Sequence, residues 1–288
     1  MLTPPQGKAT RAPVEIDVGA LSDPGKVRRN NEDHYFVARF ERVMQTLFSN
    51  LPAGEVPERF SEAGYGMVVA DGVGGAAAGE VASSTAVRVL VGMALETPDW
   101  IMNFEGERGR EVLARTEARF RKIGRVFLEQ ASHDHALAGM GTTVTFAGSV
   151  GTDLLVAHVG DSRAYLFRGG ELRPLTRDQT VAQTLADAGA IRPEQVATHP
   201  SRNVLVGAIT TRQGDSPAEL HHLRLEDGDQ ILLCSDGLTD MVADAAIAGI
   251  LARAGAAAEA CRALVDLALE AGGKDNVTVV LARYRIPR

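Results

Sequence analysis

Thr143-Val144-Thr145-Phe146, Leu154-Leu155-Val156-Ala157 and Ala164-Tyr165-Leu166-Phe167 are short runs of period-two character, punctuated by Val150-Gly151-Thr152-Asp153 and Arg168-Gly169-Gly170-Glu171. Links this short reverse the chain, so neighbouring strands are antiparallel. Outward from this stretch, strands are expected at Ile16–Ala20, Tyr35–Val37, Leu220–Leu225, Ile231–Cys234 and Val277–Tyr284. Helices are expected over Glu80–Met93, between Glu105 and Gln130, around Val181–Ala188, and over Ala243–Ala254 and Ala256–Ala271. Glu80–Met93 is apolar on nearly every side, which predicts deep burial. Helix pairs that interrupt a β-rich chain, rather than alternating with single strands, predict an α+β fold: an antiparallel sandwich flanked by helices, in one domain over 15–288.

Apolar residues also fall at Phe40, Val43, Met44, Leu47, Phe48 and Leu51, a helical spacing that ends at Pro52-Ala53-Gly54. A helical insert near 40–60 is therefore expected. The irregular segment 174–208 reads as a flap. Met1–Val14 has the composition of a mobile tail and lacks the apolar core of a signal peptide. No apolar run approaches the ~20 residues of a membrane span. The 288 residues are 45% hydrophobic with a net charge of −7, enough for a sizeable core and unlike a nucleic-acid surface. Cys234 and Cys261 lack metal-ligand spacing and read as buried, reduced thiols of a cytoplasmic protein.

The chemistry concentrates where apolar runs end in acids. Gly66-Met67-Val68-Val69-Ala70-Asp71-Gly72-Val73-Gly74-Gly75 is a buried strand closed by a carboxylate, and Ile231-Leu232-Leu233-Cys234-Ser235-Asp236-Gly237 repeats the pattern. Looser versions end at Asp161 and Asp275. An acid in that position is costly unless paired or bound to a cation. Asp227-Gly228, between two strands and flanked by Glu226 and Asp229, is expected to be a plain hairpin turn. Carboxylates without clustered His or Cys suit Mg²⁺ or Mn²⁺. Two such ions clamp a phosphoryl group, and Arg28, close before Glu32 and Asp33, is the candidate fork for its oxygens. A dinucleotide site at Gly72-Val73-Gly74-Gly75-Ala76-Ala77 fits poorly. Asp71 would repel a pyrophosphate, and no acid ends a second strand ~20 residues on.

The ordered motifs resemble the metal-dependent protein phosphatase family, type 2C, in its compact bacterial serine/threonine form. They are Val27–Asp33, Val69–Gly75, Gly141-Thr142-Thr143, Val159–Ala164, His199–Leu205, Cys234–Leu238 and Gly273–Thr278, covering about residues 16–284. The resemblance implies two central sheets with helices outside and a binuclear Mn²⁺ or Mg²⁺ centre at one edge. Asp71 would bridge both ions, and the Gly72 carbonyl would be a further ligand. Asp236 and Asp275 would bind one ion, while Glu32 and Asp33 complete the other, partly through water. Asp161 is similar to the acid that holds a third, weaker ion together with the residue matching Asp236. Arg28 would hold the phosphate of a phosphoserine or phosphothreonine protein, with Arg163 and Asn276 as structural supports. A metal-bound water would attack phosphorus in line, without a phospho-enzyme. A monomer acting with a serine/threonine kinase or on its targets, with no nucleic acid or membrane, completes the expectation.

Three departures stand out. Animal relatives carry a histidine general acid where this chain has Val73, so leaving-group protonation would fall to metal-bound water. Gln179-Thr180 replaces a His-Ser pair common in the bacterial flap. The 40–60 segment is longer than the compact bacterial pattern and is expected near the cleft rim, affecting substrate choice. Two alternatives remain at this level: a catalytically silent relative that senses or scaffolds, and hydrolysis of small phosphate esters.

Overall fold

The computed structural model describes residues 14–52, 54–74, 77–96, 107–211, 217–253 and 255–287. The chain opens with β1 (Glu15–Asp23), β2 (Asp33–Gln45) and β3 (Arg59–Val73), then two long helices, α1 (Ala77–Glu96) and α2 (Glu107–His133). Five strands follow: β4 (Gly141–Thr142), β5 (Val144–Val150), β6 (Asp153–Val159), β7 (Arg163–Arg168) and β8 (Glu171–Pro174). The flap carries α3 (Val181–Asp187) and a 3₁₀ turn, and leads to β9 (Ile209–Thr210), β10 (Glu219–Arg224) and β11 (Gln230–Cys234). Helices α4 (Asp236–Thr239), α5 (Asp244–Leu251) and α6 (Ala257–Glu270) precede β12 (Val277–Arg285).

Period-two patterning sorts these strands into two stacked sheets. One has the order β1-β12-β11-β7-β8; the other runs β10-β6-β5-β3-β4-β9, with β2 also paired to β3. All pairings are antiparallel. Successive side chains face opposite sides. Met67, Val69 and Val156 therefore meet Ile231, Leu233 and Val280 between the sheets. Val68, Ala70 and Val159 point outward to Ala82, Phe120, Ile123 and Phe127 of α1 and α2. Leu232, Cys234 and Leu281 point the other way, to Ile247, Leu264 and Val265 of α5 and α6. The result is the expected α-β-β-α stack, with both cysteines buried and unpaired in one outer layer.

Four expectations are corrected. The 40–60 insert is not helical: Phe40–Gln45 continues β2, paired in register with Arg59–Gly64. Aromatic and β-branched residues suit that ladder. Arg42 stacks on Phe60, 4.8 Å away, and bonds Glu62 at 2.9 Å. The helical spacing was coincidental, since Val43, Leu47 and Phe48 are 69%, 74% and 97% exposed and line no buried face. Nor does this arm reach the cleft rim. Its tip lies at the far end of the β2–β3 hairpin from Asp33 and Asp71, roughly 40 Å along the strand at ~3.3 Å per residue.

Asp227-Gly228 is not a hairpin turn, because β10 and β11 belong to different sheets. It carries the chain across the sandwich, and the neighbouring Asp229 is buried in a bidentate pair with Arg168 at 2.7 and 2.6 Å. Helix α1 is buried along one face only; Leu95 is exposed. By length and composition alone, Ala78–Glu96 would suffice to cross a membrane. Its packing of Ala82 and Ala86 against β3 and α2 makes it a core helix instead. The tail expected over 1–14 lies outside the described residues apart from Val14.

Two substitutions separate core from arm. Leu233→Ala empties a fully buried site in the inner layer and is expected to cost about 2–5 kcal/mol. At ~2–4 °C per kcal/mol, a thermal melt should drop by roughly 4–20 °C. Phe48→Ser, on the exposed tip, should leave Tm within ~2 °C, as surface changes stay within about 0.5 kcal/mol. A large drop for Phe48→Ser would show that the tip is packed.

Candidate metal centre

Strand register decides where the acids meet. Asp33 opens β2 and stands directly across from Asp71 near the end of β3. Like charges directly opposite on antiparallel strands repel. Alternation from Met67 and Val69 puts Asp71 on the inner face of its sheet, at the open end of the sandwich. Asp236 follows β11 and Asp275 precedes β12, both in the other sheet; Asp161 lies on the loop from β6 to β7, which crosses between the sheets. Carboxylate oxygens of Asp71, Asp161 and Asp236 all lie within 4.8 Å of one another.

Hydroxyls and amides hold these acids in place. Thr142 Oγ1 and the Thr143 amide donate to the Asp71 carbonyl at 2.7 and 2.9 Å, and the Asp71 amide donates to Thr143 Oγ1 at 3.1 Å. Ser235 Oγ donates to Asp33 Oδ2 at 2.6 Å, and is itself fixed by the Thr278 amide at 3.0 Å. The other Asp33 oxygen, Oδ1, is buried with no hydrogen-bond partner. A buried carboxylate oxygen so left costs free energy unless something positive reaches it. Asn276 ties the preceding loop together, donating to the carbonyls of Pro24 and Asn30 at 2.9 Å each and accepting from the Glu32 amide at 2.8 Å.

Removal from water dominates the electrostatics. It raises the Asp33 carboxyl to about 6 despite the Ser235 bond, and Asp161 to about 7, with nearby Asp178 adding to the latter. Asp71 and Asp236 are held well above the usual carboxylate range, first by burial and then by neighbouring acids, Asp33 foremost for Asp71 and Asp161 for Asp236. Such a set resists its own negative charge. All of its donors are hard oxygens, which fits Mg²⁺ or Mn²⁺.

The remaining candidates sit at the rim. Arg28 Nη2 bonds Asp275 Oδ2 at 2.6 Å, with both side chains part-exposed. Glu32 packs beside the first turn of α1, where a Cβ on Gly79 would approach its Oε2 to 2.5 Å. The Gly72 amide bonds the Glu32 carbonyl at 3.2 Å. Arg163 is forked on Asp178, its Nε and Nη2 each donating to a carboxylate oxygen at 2.7 Å. His158 is a buried core residue that bonds Thr145 and the Gly160 carbonyl at 2.9 and 3.0 Å. Sequence reasoning missed Ser235, Asp178 and Asp240. For Ser235 and Asp240 the available signal was a small or acidic side chain within one helical turn of the strand-ending Asp236; Asp178, in the flap, has no such neighbour.

Comparison with known proteins follows the same lines. The family model described as "Protein phosphatase 2C" matches residues 59–269. The chain is 36% identical over 273 residues to the serine/threonine protein phosphatase PstP of Mycobacterium tuberculosis, covering 94% of this chain but 46% of that protein. It thus spans about half the length of that relative. It is 32% identical to the protein phosphatase PhpP of Streptococcus pneumoniae, covering 92% of this chain and 96% of PhpP. A crystal structure of the PstP catalytic domain in complex with two manganese ions superposes with a TM-score of 0.73 at 34% identity, over 94% of this chain and 99% of that one. With the fold, the acid cluster and these matches in agreement, the chain belongs to the protein phosphatase 2C family.

Proposed function

We propose that the chain hydrolyses phosphoserine and phosphothreonine esters in proteins at a site for two Mn²⁺ or Mg²⁺ ions, without a phospho-enzyme. The observation that carries the reading is the Asp33–Asp71 cross-strand pair, with one Asp33 oxygen buried and unpartnered beside the Asp71–Asp161–Asp236 cluster. In this reading Asp71, the Gly72 carbonyl, Asp236, Asp275, Glu32 and Asp33 would hold the two ions, and Asp161 with Asp236 would hold a weaker third. When bound, such ions supply Lewis acidity at the phosphoryl oxygens and lower the pKa of a coordinated water.

The protein's own groups do the rest. Arg28 swings from Asp275 to grip the non-bridging phosphate oxygens with its planar fork. Ser235 keeps one Asp33 oxygen occupied and so aims the other into the site. The hydroxyls nearest the acids are buried and engaged, Ser162 with Thr143 and Ser235 with Asp33, which disfavours a serine nucleophile. The phosphatase names of PstP and PhpP support the substrate class. The same reading makes the protein a cytoplasmic monomer opposing a serine/threonine kinase or acting on its targets.

Asp236→Asn should lower turnover of a phosphothreonine peptide by at least ~100-fold, the scale set by losses at metal sites; near-normal hydrolysis would remove this carboxylate from the ligand set. Arg28→Ala should raise KM about tenfold, as expected for a charged hydrogen-bonded pair. Unchanged kinetics would refute its phosphate role.

A thermal measurement needs no turnover. Asp33 and Asp161 ionise near 6 and 7 in the folded chain, against roughly 4 when unfolded. Their protonated forms therefore favour folding, and that stability, full below pH ~4, drains away as pH rises through ~7. Chelated protein should melt lower at pH 8 than at pH 5. Mn²⁺ at ~100 Kd should recover about 3 kcal/mol, or roughly 5–10 °C, at pH 8. A melt indifferent to Mn²⁺ would count against the centre.

A further inference from the structure

Two loops meet beside Arg28 and are locked together through their backbones. The turn after β1 brings Gly25 so close to the loop before β12 that a Cβ there would collide with the Asp275 carbonyl. Its φ of +78° lies in the left-handed region that favours glycine. The Lys26 amide donates to the Gly273 carbonyl at 2.7 Å. Asn276 grips the turn on both sides, at the Pro24 and Asn30 carbonyls. Residues 24–30 and 272–276 therefore form one rigid rim, and the side chains of Lys26, Arg29 and Lys274 take no part in fixing it.

That rim is positively charged. Lys26, Arg28, Arg29 and Lys274 are all exposed, and residues 24–31 include no acid. Asp23, just before the turn, accepts from the Gly25 amide at 2.8 Å, and Asp275 accepts from Arg28. Among the described residues, Lys26, Arg29 and Lys274 have no acidic partner. Arginines elsewhere on the surface differ: Arg39, Arg121, Arg173 and Arg177 each pair with a nearby acid. On a chain of net charge −7, three unpaired cations around Arg28 are a local exception. With cations held by the acids, as in the reading above, the acids' own charge is offset and the rim's positive potential stands.

Lys26 and Arg29 lie within two residues of Arg28, and Lys274 adjoins the acid that Arg28 touches. An extended peptide covers about 10 Å in three residues, a comparable span. We infer that Lys26, Arg29 and Lys274 are specificity-determining residues that select protein segments with carboxylate side chains flanking the phosphorylated residue. This selection rests on the phosphoprotein reading above and extends it from the phosphate to its neighbours. Lysine-flanked segments are repelled by the same rim, and a small aryl phosphate carries nothing for it to hold.

The test compares three phosphothreonine peptides, flanked by glutamate, serine or lysine, with p-nitrophenyl phosphate, all with Mn²⁺. The unaltered protein should show a KM about tenfold lower for the glutamate peptide than for the lysine peptide, the serine peptide falling between and kcat staying within twofold. Raising NaCl from about 0.05 to about 0.5 M should shrink that gap, because exposed charges are screened. The variant Lys26→Ala/Arg29→Ala/Lys274→Ala should raise KM for the glutamate peptide about five- to tenfold, while the serine peptide and p-nitrophenyl phosphate stay within twofold. Each single variant should show about a two- to threefold share, which keeps the test intact if the triple variant melts early. Lys26→Glu/Arg29→Glu/Lys274→Glu should invert the ranking, an outcome that a merely structural role would not produce. Equal kcat/KM on the three peptides, or an alanine variant that keeps the full ranking, would overturn the selection and leave phosphoprotein hydrolysis standing. A parallel loss on p-nitrophenyl phosphate would place these cations at the phosphate itself and equally overturn it. If the unaltered protein hydrolyses the small ester but none of the peptides, the phosphoprotein reading fails and takes the selection with it.

Discussion

Asp33 and Asp71 face each other across adjacent antiparallel strands, and the rest of the molecule exists around the cost of that arrangement. Two carboxylates in register repel, and burial adds to the penalty by favouring their neutral forms. The fold tolerates the pair because everything else nearby is fixed. Thr142 and Thr143 pin the Asp71 backbone, Ser235 pins one Asp33 oxygen, and Asn276 gathers the loop that delivers Glu32. In the proposed reading these rigid, crowded acids at the mouth of the sandwich would bind cations, which would repay what the apo form loses.

Each acid is legible to a different degree, for physical reasons. Asp71 and Asp236 stood out because an uninterrupted apolar run fixes a buried strand, and a charged residue at its end has few bland explanations. The strands of 143–167 were legible because period two and tight glycine turns are local properties. The 40–51 segment was not, since the same residues satisfy a helical spacing and a strand composition. What settled it was Arg59–Gly64 of β3 lying alongside Phe40–Gln45, a partner that no local window contains. Asp227-Gly228 failed similarly: a turn is local, but the sheet each flank joins is not.

The supporting groups were harder still. Ser235 adjoins Asp236 in sequence yet serves Asp33, on the opposite sheet and two hundred residues away. Asp240 looks like an ordinary helix-end acid until Arg202 and Asn203 arrive from the flap. Side chains that act on neighbours in space leave no spacing to read, whereas those that end strands do. Arg28 is intermediate: its proximity to Asp33 was visible, but its bond to Asp275 was not.

The acids are divided between the two sheets, Asp33 and Asp71 on one, Asp236 and Asp275 on the other. The cluster is therefore a caliper across the sandwich, and its jaws are set by the thickness of the inner apolar layer. A methyl group gained or lost at Met67, Val156 or Leu233 would alter the gap between jaws without touching a single polar atom. In the proposed reading, ion preference would follow that gap, and drift in the oily interior would retune it.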